Sequence, residues 1–334
     1  MPHSILEWHN VDARTFREQI VPGNRPAVLR GLVAAWPAVA AGRESAQSMA
    51  QYLSGLEQGG PVPILTAPAS VRGRFFYQDD LRGPNFERRQ APLSAGIAAL
   101  LAHLADPDPP AFYMEAAQVR DCLPTFANAQ RLELLDASVA PRIWIGNAVT
   151  VQTHYDLYSN IACVVCGRRR FSLFPPEQLP NLYPSSLDVT LAGVPVSMVR
   201  LDRPDYARYP RFRLALEHLQ VAELGPGDAL FIPYAWWHHV ESLTAFNVLV
   251  NYWWNDTPLP LSPMDSLLHA TFALRDLPFE QRLVWRALFD YYAFRTSGDP
   301  LAHLPPTLRG LMGAQGAQAL QTVRTLLLRS LGGS

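Results

Sequence analysis

The sequence predicts a mainly β fold, a sandwich or barrel of short strands with flanking helices and a helical element at the C-terminal end. Strand-like segments follow one another closely between residues 142 and 254. Pro, Gly and Asp separate these segments, and no ten-residue helical pattern lies between them, which disfavours a doubly wound parallel sheet. Helical periodicity dominates only after residue 263.

The first third of the chain mixes helix and strand patterns. Residues 26–32, PAVLRGL, are typical of a buried strand that ends in a glycine turn. Residues 45–56 and 94–104 have helical spacing, and Ser45 is suited to cap the first of these helices. The aromatic-rich segments GRFFYQDD and AFYMEAA indicate further strands. The first third of the chain is therefore expected to form helices and strands that surround the barrel.

The central region contains eight strand-like segments in succession. They are RIWIGNA, TVQTHYD, NIACVVC, RRFSLFPP, PVSMVRL, VAELGPGDALFIP, HHVESL and FNVLVNYWW. Because side chains alternate between the two faces of a strand, Cys163 and Cys166 should point in opposite directions. The CVVC motif is therefore interpreted as structural rather than metal-binding.

The C-terminal segment changes to helical spacing after the proline-rich residues 257–263. Residues 279–295 and 320–328 carry apolar residues at helical intervals. These helices cannot form a core alone, so they must pack on the barrel or on a second copy of the chain. The predicted domains are residues 1–260 and residues 261–334.

Composition narrows the class of function. The chain has 334 residues, is 49% hydrophobic and carries a net charge of −1, which gives no electrostatic sign of nucleic-acid binding. All 28 basic residues are arginine, so any fixed cation must be an arginine. No signal-peptide or membrane-spanning pattern is found, and three cysteines suit a reducing cytoplasm.

A possible metal site is indicated by His154 and Asp156, which share one strand face because they are two positions apart. A second source of imidazole is the pair His238 and His239. If the strands form a jelly roll, one member of the pair can join the first two residues. Two histidines and one carboxylate are the facial triad of non-haem Fe(II) oxygenases. Strand parity alone does not choose between the two histidines.

The motifs HYD, N-x(6)-GRRRFSLFPP, GDALFIPYAWWHHVES and NVLVNYWW together resemble the JmjC and cupin-8 hydroxylases, in particular the factor-inhibiting-HIF-like branch of Fe(II)/2-oxoglutarate oxygenases. The resemblance covers about residues 25–255. It implies a double-stranded β-helix, a cupin-like jelly roll, often followed by helices that form a homodimer. It also implies that His154, Asp156 and His238 bind Fe(II).

The resemblance further implies a pocket for 2-oxoglutarate. Arg169 occupies the position of the lysine that holds the distal carboxylate in the family, a departure that the lysine-free composition explains. Arginine can hold a carboxylate with two hydrogen bonds. The remaining cosubstrate contacts are expected from Tyr113, Thr153, Asn160, Asn251 and Trp253, with Thr150 as the alternative to Thr153.

The expected activity is hydroxylation of a protein or peptide side chain, with Fe(II), 2-oxoglutarate and O₂. The alternatives are a hydroxylase of a small metabolite or of a tRNA base, and a cupin-fold binding protein without turnover. Near-neutral charge disfavours nucleic acid as a partner. A cupin dioxygenase that works without 2-oxoglutarate is disfavoured because the H-x-H-x(3,4)-E pattern is missing.

Overall fold

The computed structural model describes residues 3–187, 190–191, 193–256, 261–313 and 316–332. It divides into two compact units, Met1–Asn255 and Asp256–Ser334. The proline-rich residues 257–263, which contain the predicted domain boundary after residue 260, lie partly outside the described residues.

Fifteen strands are found in the described part of the first unit. They are β1 (His3–Ser4), β2 (Leu6–His9), β3 (Ala27–Arg30), β4 (Val62–Ala67), β5 (Arg74–Phe75), β6 (Glu87–Ala91), β7 (Ala111–Gln118), β8 (Pro141–Gly146), β9 (Thr150–Tyr155), β10 (Ser159–Cys166), β11 (Arg169–Phe174), β12 (Gln220–Leu224), β13 (Ala229–Ile232), β14 (Trp237–Ser242) and β15 (Asn247–Trp254).

Helices surround these strands and make up the second unit. The α-helices are α1 (Ala13–Thr15), α2 (Pro37–Glu44), α3 (Ala46–Leu56), α4 (Leu93–Ala102), α5 (Val119–Cys122), α6 (Phe126–Ala129), α7 (Phe212–Glu217), α8 (Pro263–Leu274), α9 (Phe279–Leu288), α10 (Gly310–Gly313) and α11 (Ala317–Gly332). Shorter 3₁₀ or π turns cover Phe16–Ile20, Val21–Gly23, Ala69–Val71, Pro176–Asn181, Phe289–Ala293 and Pro306–Leu308.

Two sheets form the jelly roll that the sequence predicts. One has the strand order β1-β12-β11-β14-β9-β5, and the other has the order β2-β3-β13-β10-β15-β8-β7-β4-β6. The chain passes from one sheet to the other between β8 and β9, between β9 and β10, and again between β10 and β11. This alternation brings β9 and β14, which are distant in sequence, into direct antiparallel contact.

The core has two layers. Apolar side chains from both sheets meet inside the jelly roll, namely Ala162, Val164, Phe171, Leu173, Leu230, Ile232, Val240 and Leu249. The outer face of the nine-stranded sheet packs instead against helices α3 and α4, with Met49, Leu53, Ile97, Ile161 and Val250 among the buried residues. Burial of these side chains is the main source of stability of the first unit.

Most predicted strands and helices are confirmed, and Ser45 caps α3 by accepting a hydrogen bond from the backbone of Ser48 at 3.0 Å. The strand predicted for PVSMVRL is wrong. Val196 and Ser197 form only isolated bridges, to His154 and Pro184 respectively. Helices α2 and α8 were not predicted.

The predicted orientation of the two cysteines of CVVC is also wrong. The register of β10 against β15 shifts between Val164 and Cys166, so Val165 is an extra residue. Such a bulge reverses the facing of all later residues. Cys163 and Cys166 therefore pack in the same apolar cluster, and both are free and buried.

A glycine turn joins β10 to β11 and sets where Arg169 begins its strand. Gly167 has φ +76°, in the left-handed region that favours glycine. A Cβ atom at this position would collide with Thr244, the carbonyl of Phe246 and Asn247. No other residue type fits this turn without displacing its neighbours.

The second unit is helical in its described residues. Helix α8 begins at a cap in which Ser262 accepts a hydrogen bond from the backbone of Asp265 at 3.2 Å. Helix α9 presents exposed apolar side chains, with Phe279 60% and Val284 61% accessible.

Candidate metal centre

Strands β9 and β14 bring the three predicted metal ligands together. His154 and His238 are paired across these antiparallel strands, and their ring centroids are 4.3 Å apart. Asp156 follows the last residue of β9. One ligand atom from each of the three side chains lies within 4.8 Å of the other two. Two imidazoles and a carboxylate in this arrangement match the donor set that holds Fe(II) in oxygenases.

Backbone hydrogen bonds orient both imidazoles. Nδ1 of His154 lies 2.8 Å from the carbonyl oxygen of Gln152, and Nδ1 of His238 lies 3.0 Å from that of Trp236. A proton on each Nδ1 satisfies these contacts and leaves each Nε2 free to bind a metal, as is usual for metal-binding histidines.

Burial keeps His238 in the neutral form that a metal requires. The pKa of His238 is lowered to about 4, first by burial and then by the charge of His154, with Asp156 acting in the opposite direction. Nε2 of His238 is 3.5 Å from Oδ2 of Asp156. Because the imidazole is neutral near pH 7, this contact is not an ion pair, and both groups remain available as ligands.

The neighbouring histidine, His239, points away from the triad. On β9, two residues separate Val151 from His154. On β14, His239 alone separates their partners Val240 and His238, so β9 has one extra residue at this point. The buried hydroxyl of Thr153 lies 3.2 Å from Nδ1 of His239. Burial, followed by the charge of Arg74, lowers the pKa of His239 to about 3. The structure thus unites His238, and not His239, with the other two ligands.

The predicted cosubstrate contact from Thr153 gains no support from this geometry. Its hydroxyl contacts His239 on the face opposite the triad, and the alternative, Thr150, is paired with Glu241 at the same outer face. A contact of either residue with the cosubstrate stays a prediction.

Gln152 fixes the chain segment that covers His154, a role that the sequence did not suggest. Its Nε2 donates to the carbonyl oxygens of Ser197 and Val199, each at 2.8 Å. Its Oε1 accepts a hydrogen bond from Arg74 at 3.0 Å. A buried glutamine with these three hydrogen bonds holds residues 197–199 against β9.

Arg169 lies inside the jelly roll on the same face as the triad. On β11, Leu173 is paired with His238 and Arg169 with Ser242, so the alternating residues from 169 to 173 share the face of His238. Arg169 is 1% exposed. Its Nε and Nη2 atoms are buried and have no hydrogen-bond partner among the described residues.

Tyr113 is a neighbour of this guanidinium. It is 4% exposed, and burial raises its pKa, whereas Arg169 lowers it through its charge and a side-chain hydrogen bond. By contrast, Arg168 is exposed and Arg170 is half-buried, and both form ion pairs with Glu223 on the outer face. Arg169 is thus a cation with unused donors in a closed interior, which suits an anionic group that enters the pocket.

The two predicted pocket amides are joined in one hydrogen-bond chain. Nε1 of Trp144 donates to Oδ1 of Asn251 at 2.7 Å, and Nδ2 of Asn251 donates to Oδ1 of Asn160 at 3.1 Å. Both amides are buried. Trp144 was not predicted as a site residue, although its alternation with Ile143 and Ile145 in RIWIGNA would have placed it on the inner face.

Trp253 forms one wall of this region. It is paired with Asn160 across β10 and β15 and packs edge-on against Trp144 with ring centroids 5.8 Å apart. Its buried Nε1 has no hydrogen-bond partner in the described part of the chain. The guanidinium of Arg142 lies 5.1 Å from the ring centroid. The structure therefore groups Tyr113, Arg169, Asn160, Asn251 and Trp253 on the inner face, and their contact with a cosubstrate stays a prediction.

The sequence was compared with known proteins. The family model described as "cupin-like domain" matches residues 13–259. "Lysine-specific demethylase JMJ31" of Arabidopsis thaliana is 36% identical over 146 residues, which cover 43% of this chain and 25% of that protein. "HSPB1-associated protein 1" of Bos taurus is 40% identical over 113 residues, covering 33% and 23%. "tRNA wybutosine-synthesizing protein 5" of Gallus gallus is 37% identical over 106 residues, covering 32% and 30%.

These matches extend over less than a third of each of the three relatives. Among the described residues, no helix has the length and apolarity needed to cross a membrane.

Proposed function

The chain belongs to the JmjC/cupin-like family, and from this premise we propose that it is an Fe(II)- and 2-oxoglutarate-dependent oxygenase that hydroxylates a protein or peptide side chain. The observation that carries the proposal is the buried guanidinium of Arg169, which has unpaired donors on the face of the triad. A buried cation without a counter-charge is costly, and a dicarboxylate would supply that charge.

The residues of the chain fit both the metal and the cosubstrate. His154, Asp156 and His238 would hold Fe(II), and Arg169 with Tyr113 would bind the distal carboxylate of 2-oxoglutarate. Bound iron and 2-oxoglutarate would supply the oxidising chemistry, in which O₂ and 2-oxoglutarate give succinate, CO₂ and one oxygen atom inserted into a C–H bond of the substrate.

The protein itself contributes geometry and exclusion of water. The backbone carbonyls of Gln152 and Trp236 hold both imidazoles in the orientation that directs each Nε2 to one point. The apolar interior around Phe171, Leu173 and Val240 keeps water away from the cosubstrate. The fixed orientation of the imidazoles and the exclusion of water both help to direct the oxidation at the substrate and not at side chains of the pocket.

A protein or peptide substrate is favoured over a tRNA base because of the net charge of the chain. The names of two relatives refer to a protein-modifying activity and to a tRNA modification. The net charge of −1 gives no attraction to a polyanion such as tRNA. A small metabolite is the second candidate, and a binding protein without turnover is disfavoured by the complete triad.

Turnover of 2-oxoglutarate without substrate tests the proposal directly. Purified protein with Fe(II), ascorbate and O₂ should convert 2-oxoglutarate to succinate, because many oxygenases of this kind catalyse a slow uncoupled reaction. Succinate is measured by NMR, with protein kept in EDTA as the control. Protein that binds iron and 2-oxoglutarate and yet forms no succinate would be a binding protein instead.

We also propose that the chain forms a homodimer through its C-terminal helices. Helix α9 leaves Phe279, Leu283 and Val284 about half exposed or more, and an apolar helix face of this kind needs a partner. Leu283→Arg should convert a dimer to a 37.2 kDa monomer in sedimentation velocity. Gln281→Arg, on the same helix, adds the same charge and should leave the dimer intact. A wild-type chain that sediments as a monomer contradicts this proposal.

The expected location is the cytoplasm. Cys122, Cys163 and Cys166 are all free and buried. Burial raises the pKa of the Cys122 and Cys166 thiols to about 11, so neither is activated for oxidation or exchange. Free thiols of this kind are compatible with a reducing compartment.

A further inference from the structure

A groove in the first unit is lined by none of the metal or cosubstrate residues. Its volume is about 800 Å³, within the range of about 300–1,000 Å³ that is usual for ligand pockets. Its walls come from the segment between β5 and β6, the turn Pro176–Asn181, residues 183–186 and the segment before α7. Most of the lining side chains are apolar or aromatic, among them Leu81, Leu179, Tyr183, Met198 and Tyr209.

The groove begins two strand widths from the metal ligand His154. The backbone of Ser197 donates to the carbonyl of Thr153 at 2.7 Å, and Val196 is bridged to His154. The backbone of Ser185 donates in turn to the carbonyl of Val196 at 2.8 Å. Because neighbouring strands lie about 4.8 Å apart, the chain at Ser185 is roughly 10 Å from the backbone of His154. An extended polypeptide spans this distance with about three residues.

Two bulky residues that line the groove have a left-handed backbone conformation. Leu81 has φ +60° and Tyr183 has φ +48°. Residues with large side chains rarely adopt this region, and glycine would fit it without strain. Leu81 is also apolar and yet 39% exposed. Strain of this kind is concentrated at ligand-binding sites, where a particular side chain has to be held in place.

The tyrosine rings of the groove position two arginine side chains. The guanidinium of Arg211 lies 4.7 Å from the ring centroid of Tyr183, and its Nη2 donates to the carbonyl of Pro180 at 2.8 Å. The guanidinium of Arg208 lies 5.3 Å from the ring centroid of Tyr209, which packs edge-on against Tyr183. Because both guanidinium groups rest on aromatic rings, less side-chain freedom is lost when they bind an anion.

The groove carries positive charge without a matching acid. Among the described residues, neither Arg208 nor Arg211 forms an ion pair, and no residue that lines the groove is acidic. Residues 200–213 contain five arginines and two aspartates. The carboxylate of Asp202 is already bound by two other arginines, and that of Asp205 accepts backbone hydrogen bonds. This surface is therefore complementary to an acidic partner.

We propose that this groove binds an acidic segment of the polypeptide substrate, about three or more residues away from the residue that is oxidised. This inference rests on the proposed function. Carboxylates of the segment would pair with Arg208 and Arg211, and its apolar side chains would cover Leu81. RNA is disfavoured because a guanidinium covers one face of each tyrosine ring, where a base would otherwise stack.

Selection from a random peptide library gives the first test. The full chain, loaded with Mn(II) and kept without O₂, is immobilised and used to select displayed peptides. We expect the selected peptides to combine aspartate or glutamate with leucine or phenylalanine. Selection of basic or uncharged peptides, or no selection at all, overturns the inference. Binding of poly(U) RNA in place of acidic peptides overturns it as well.

The affinity of a selected peptide for variants of the groove gives the second test. Calorimetry should show that the double variant Arg208→Gln/Arg211→Gln binds the peptide at least about tenfold more weakly, because two charge-assisted contacts are lost. Arg213→Gln is the matched control. Arg213 is exposed and its guanidinium lies 4.1 Å from the ring centroid of Tyr206, outside the groove, so the affinity should be that of wild type.

Leu81→Gly separates peptide binding from a structural role. Glycine relieves the left-handed strain, so the thermal midpoint should not fall, whereas peptide binding should weaken several-fold because an apolar contact is lost. A side chain that served only the fold would give the reverse result. Affinity equal to that of wild type in both Leu81→Gly and the double arginine variant, with unchanged thermal midpoints, would overturn the inference.

Uncoupled succinate formation distinguishes failure of this inference from failure of the proposed function. If succinate is formed and no acidic peptide binds, the docking groove is refuted and the oxygenase stands. If an acidic peptide binds in the groove and no succinate is formed, the oxygenase is refuted, and with it the assignment of the peptide as part of a substrate.

Discussion

His238→Ala is expected to remove iron from the protein and to lower succinate formation by at least about a hundredfold. Loss of residues that merely orient metal ligands already costs roughly 10–100-fold, and loss of a ligand should cost more. His238 supplies one of only three protein donors in the cluster. Iron content is measured by atomic emission after gel filtration, and turnover is measured by NMR of succinate.

His239→Ala is the matched control because it removes the same group from the next position. His239 is 1% exposed and contacts Thr153 on the opposite face, so its loss should lower stability. Iron content should remain that of wild type once the variant is folded. If His239→Ala lost its iron and His238→Ala kept it, the assignment of the triad and the facing of β14 would both be wrong.

The sequence predicted those features that depend on local periodicity. His154 and Asp156 could be placed together because i and i+2 share a strand face, and Ser45 could be recognised as a helix cap. The inner-face positions of Arg169, Asn160 and Asn251 followed from motif order in a resembling family. In the first two cases a few neighbouring residues contain the information, whereas the inner-face positions required the resemblance.

The wrong orientation of the two cysteines comes from a bulge, which sequence periodicity does not reveal. One extra residue in β10 puts Cys166 on the face of Cys163, and the extra residue of β9 opposite His239 lets Val151 face inward as His154 does. A third register shift lies between Met114 and Ala117 of β7. A bulge depends on how two distant strands pair, and a single-residue slip reverses every later side chain. Sequence periodicity therefore fails beside bulges, and Gln152, which lies in one, has a role that the sequence did not suggest.

Arg169→Met is expected to stabilise the protein in the absence of cosubstrate. It is also expected to abolish the rise of the thermal midpoint that 2-oxoglutarate causes. Arg169 keeps two buried donor atoms without partners among the described residues. Replacing buried ionic groups by apolar residues of similar size can stabilise a protein by about 1–4 kcal/mol. For a unit of this size each kcal/mol raises the thermal midpoint by roughly 2–4 °C.

The wild-type protein should behave in the opposite way when 2-oxoglutarate is added. A ligand at a hundred times its Kd stabilises the folded state by about 2.7 kcal/mol, so the thermal midpoint of wild type should rise. The Met variant should show no such rise and should need at least about a hundredfold more 2-oxoglutarate for uncoupled turnover, since it lacks the charged hydrogen bonds to the distal carboxylate.

Arg170→Met is the control on the same strand. Arg170 points outward and forms an exposed ion pair with Glu223 at 2.6 Å, so its replacement should change stability by no more than about 1 kcal/mol and leave the response to 2-oxoglutarate intact. Arg169→Met with lower stability than wild type would show that the buried guanidinium is already satisfied within the fold. A retained 2-oxoglutarate shift in that variant would show that another residue binds the distal carboxylate.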